Sequence, residues 1–84
     1  MKMTTKTTTQ SAAQAYQVNR SDIARLLDVM EMELDKHGQR AEADPHNWGF
    51  AGDLVTIRRG MINLVASISS MDAVEVERFL DEAV

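Results

Sequence analysis

Between Asp53 and Met71 the apolar residues Leu54, Ile57, Met61, Leu64, Ile68 and Met71 recur at steps of three and four, which places them along one face of an α-helix. Val55, Ile62 and Val65 form a second line beside the first. Together they widen the apolar arc to roughly half the helix circumference, more than the stripe of about 100° that a one-sided surface helix needs. This helix is therefore expected to have partners on two sides.

A narrower pattern precedes it. Ile23, Leu26, Leu27, Met30 and Leu34 make a single stripe, with Asp22, Arg25, Asp28, Glu31, Glu33, Asp35 and Lys36 on its flanks and back, the signature of an amphipathic helix. Asn19 is placed to cap it, Val18 and Ile23 to staple it, and Lys36, His37 and Gly38 suit its C-terminal end. The spacing predicts a helix over 19–37. Ahead of it, residues 1–18 are rich in Thr, Gln, Ser and Ala and read as a flexible N-terminal arm, since little apolar burial offsets the entropy of ordering them. The competing reading extends the helix backward through residues 11–18, with a buried Tyr16 as its mark.

Residues 38–52 hold the only proline and three of the four glycines, so they read as a connection. Trp48 and Phe50 stand out there: they either cover the open end of a bundle or form a partner- or ligand-binding corner. The second helix starts at Asn47 or Asp53, both good caps, and runs to about residue 70; a start at Asn47 would put Phe50 one heptad step before Ile57. Gly60 lies inside it at a cost of about 1 kcal/mol relative to Ala. Thr56, Gly60, Asn63, Ser67 and Ser70 form a small-residue edge, suited to close helix approach or to solvent. A third helix is expected over 73–83, opened by an Asp72–Glu75 capping box and a Met71–Val76 staple, with Phe79, Leu80 and Ala83 on its apolar side. No segment keeps a strand period, so the fold is all-α: an antiparallel helical hairpin plus a short C-terminal helix.

Composition alters this picture in two ways. A cysteine-free chain of 84 residues has neither disulfides nor thiolate chemistry and only a small core, which favours help from a second subunit. A homodimer forming a four-helix-type bundle follows, with residues 19–84 as its helical domain. The net charge is −4, and Lys2 and Lys6 belong to an N-terminal stretch without acids, so residues 19–84 carry seven basic and thirteen acidic side chains. That balance disfavours nucleic acid and anionic membranes as partners. No apolar run reaches the roughly 18–20 residues that span a bilayer, and Met1, Lys2 and Met3 are followed by threonines rather than a signal-like core, which points to the cytoplasm.

Candidate chemistry is sparse. Arg58 falls inside the apolar arc, where a guanidinium must snorkel or meet a carboxylate; Glu31 or Glu33 is the expected partner, within the chain or across a dimer, and an anion receptor is the alternative. His37 and His46, with Glu33, Glu42 and Asp44 nearby, match no metal-ligand spacing, so neither metal nor cofactor is expected. No nucleophile elbow, phosphate loop or paired carboxylates support catalysis, and the long connection with only Arg58 and Arg59 on the central helix argues against a DNA-reading helix-turn-helix. The sequence thus describes a noncatalytic interaction or regulatory protein. Val55, Arg58, Ile62 and Val65 are its expected dimer seam, and Trp48 and Phe50 the corner for a heterologous protein partner or small anion.

Overall fold

The computed structural model describes residues 11–83. Its order is three helices, α1 (Ala12–Ala43), α2 (Trp48–Ile68) and α3 (Ala73–Glu82), with no strand among the described residues. The all-α expectation holds. Contacts divide the chain into two units, Met1–Arg40 and Ala41–Val84.

In the first unit, α1 begins at Ala12, seven residues before the expected Asn19, and takes in part of the expected arm; residues 1–10 of that arm lie outside the described residues. The start is set by a capping box. The Ser11 N–H donates to Gln14 Oε1 at 2.9 Å, the Gln14 N–H donates to Ser11 Oγ at 3.1 Å, and the Ala15 N–H reaches the Ser11 carbonyl at 3.0 Å. Tyr16 remains exposed, so burial of its ring does not mark the boundary: local capping fixes it.

The other end also differs from expectation. α1 continues through Gly38, which has no positive φ and hence is not a left-handed C′ residue. Gln39, Arg40, Ala41, Glu42 and Ala43 are good helix formers that outweigh one glycine. The stop comes from Pro45, which disfavours helix at Asp44.

In the second unit, Asn47 is the N-cap of α2 and its side chain accepts from the Gly49 N–H at 2.8 Å. The Asn47 amide nitrogen donates to Asp44 Oδ2 at 3.2 Å, and the Asn47 N–H donates to the Asp44 carbonyl at 3.1 Å. A Cβ at Gly49 would stand 2.9 Å from the capping oxygen, so a larger residue there would make the Asn47 side chain shift. Of the two starts open to the sequence, the earlier is the one formed.

Ser69 ends α2 in extended conformation, its N–H bonded to the Val65 carbonyl. Its hydroxyl accepts from the Met71 N–H at 3.2 Å. Asp72 then caps α3 with the reciprocal Asp72–Glu75 box, both bonds 2.9 Å, as the sequence predicts. Met71 and Val76 occupy the staple positions, half-buried and buried respectively.

α2 and α3 pack against each other. Among the described residues, Ile62 (7% exposed) on α2 and Val76 (5%) on α3 are the buried apolar side chains. Phe50, Ile57 and Met61 along α2, and Leu80 on α3, are half-buried.

Candidate interaction surface

Three features of the surface can do something beyond holding the fold. The first is the stripe on α1. Ile23, Leu26 and Leu27 are each more than half exposed, Leu34 is exposed, Met30 is half-buried, and α1 contributes no buried residue. Its helix needs no packing to start, since the Ser11–Gln14 box and good helix formers support it locally. Burying such leucines is worth about 1.5–3 kcal/mol each.

The second is the ion pair at the α2–α3 contact. Arg58 donates from Nη2 to Glu77 Oε1 at 2.8 Å, with both side chains about half exposed. The partner is therefore Glu77 on α3, in place of the expected Glu31 or Glu33. Arg58 lies one helical turn before the buried Ile62, and Glu77 directly follows the buried Val76, so the pair sits at the rim of the small core. The hydrogen bond and charge of Arg58 hold the Glu77 carboxyl below its ordinary range; in return Glu77, with Asp81 nearby, raises the guanidinium.

A carboxyl whose folded-state pKa is lowered adds stability that is present above its unfolded value and lost as pH falls through the folded one. Glu77→Gln is accordingly expected to flatten the acid side of the stability profile while leaving the neutral-to-alkaline shape unchanged. Because the pair is solvent-screened, the loss is modest. Urea midpoints between pH 3 and 7 test this, and an unchanged acid slope would contradict it.

The third feature is the α2 N-terminus. Trp48 is 85% exposed, whereas Phe50 is half-buried in line with Ile57 and Met61. Two residues along a helix turn the side chain by about 200°, so the rings point to opposite sides. Phe50 is half-buried, whereas Trp48 faces solvent.

The remaining seam residues are divided as well. Val55 and Val65 are exposed, while Ile62 is buried within the chain. The small-residue edge of α2 is exposed. Nothing lies within 4 Å of a Cβ placed at Gly60, and the Thr56 and Ser67 hydroxyls donate to the Gly52 and Leu64 carbonyls of their own helix.

Among the described residues, no three His, Asp or Glu side chains gather in a metal-binding group, and no helix is long and apolar enough to cross a membrane. No protein-family model, no curated relative and no solved structure matches the chain.

Proposed function

We propose that the chain is a noncatalytic interaction protein that works as a cytoplasmic homodimer, with α1 supplying the principal contact. The observation that carries this reading is the exposed stripe of α1: a regular apolar line on a 32-residue helix none of whose residues is buried. Isolated apolar residues on a surface are ordinary, but a contiguous line of them marks an association site. Val55 and Val65 of α2 are also exposed. Ile62 is buried within the chain, so it is left out of the proposed contact.

The anion-binding alternative loses its main support, because an anion would have to displace Glu77 from Arg58. A heterologous partner keeps one specific observation in its favour, the solvent-facing Trp48, since tryptophan is among the side chains most often found at the energetic centre of interfaces. That contact would add to the dimer.

Light scattering after size exclusion, repeated across a wide dilution range, tests the proposal. A mass of two chains at micromolar concentration, falling toward one on dilution, is expected. A single-chain mass throughout, even at the highest soluble concentration, overturns it.

A further inference from the structure

We draw no further inference here: the strongest candidate, the exposed apolar face of α1 from Ile23 to Leu34, already belongs to the proposed contact, and nothing in the structure shows what covers it.

Discussion

Leu27→Glu is expected to convert the proposed dimer to a folded monomer. Leu27 is more than half exposed within its own chain, and Glu is nearly as good a helix former as Leu, so α1 loses neither packing nor propensity. What is lost lies between the copies. A central apolar contact is worth about 2 kcal/mol or more, a two-fold axis doubles it, and the new carboxylates face their own copies across the seam. A total of about 4 kcal/mol corresponds to a roughly thousandfold weaker association. Equilibrium sedimentation of wild type and variant, with far-ultraviolet circular dichroism to verify equal helix content, measures this. Unchanged self-association would rule out α1 as the seam; a large drop in helix content would mean that Leu27 supports the fold of its own chain.

Ile62→Ala should do the opposite. Ile62 is one of the two buried apolar side chains of the α2–α3 pair, the other being Val76. Truncating a buried isoleucine costs about 2–5 kcal/mol, the larger values where the cavity cannot collapse. With so small a core, the lower half of that range, about 2–3 kcal/mol, is already comparable to what holds a helix as short as α3 in place. The expected result is release of α3: its amide protons should exchange at least roughly thirtyfold faster, the equivalent of about 2 kcal/mol, while those in the middle of α1 keep their rates. Were Ile62 a seam residue, as its helical position alone suggests, the substitution would instead change the native mass and leave α3 protected. Hydrogen exchange and light scattering on the same sample separate the two outcomes.

The helices are legible in the sequence because local signals repeat within a few residues. The Asp72–Glu75 box, the Asn47 cap and the in-line position of Phe50 all involve groups close together along the chain, and pattern reading finds such things. The early start of α1 has a local signal too: Ser11 and Gln14 have the same spacing as Asp72 and Glu75, but a threonine-rich lead with little apolar mass masks it. Gly38 misleads for a different reason. A glycine after a basic turn is a common stop, yet it ends a helix only where the chain also turns left-handed, and here Pro45 supplies the stop further on.

The assignment of side chains to partners is much less legible. Periodicity says that Arg58 and Ile62 share a face of α2, but not which element covers that face. α3, joined by the short connection at residues 69–72, takes that place, so Arg58 finds Glu77 nineteen residues on and Ile62 is buried within the chain. The exposed Trp48 shows the same limit: its distance from Phe50 in sequence is plain, whereas the helix start that sends the two rings apart depends on which of two good caps is used.

Asn47 shows how a substitution that looks harmless can be otherwise. Asp is as good an N-cap as Asn, and after Asn47→Asp one carboxylate oxygen could still accept from the Gly49 N–H. At this corner, however, the two ends of the amide have different tasks: its oxygen faces an N–H and its nitrogen faces the Asp44 carboxylate. An aspartate would turn a donor toward Asp44 into a second negative charge. The Asn47 amide therefore serves Gly49 and Asp44 at once, and only an uncharged group with both a donor and an acceptor can do so beside that carboxylate.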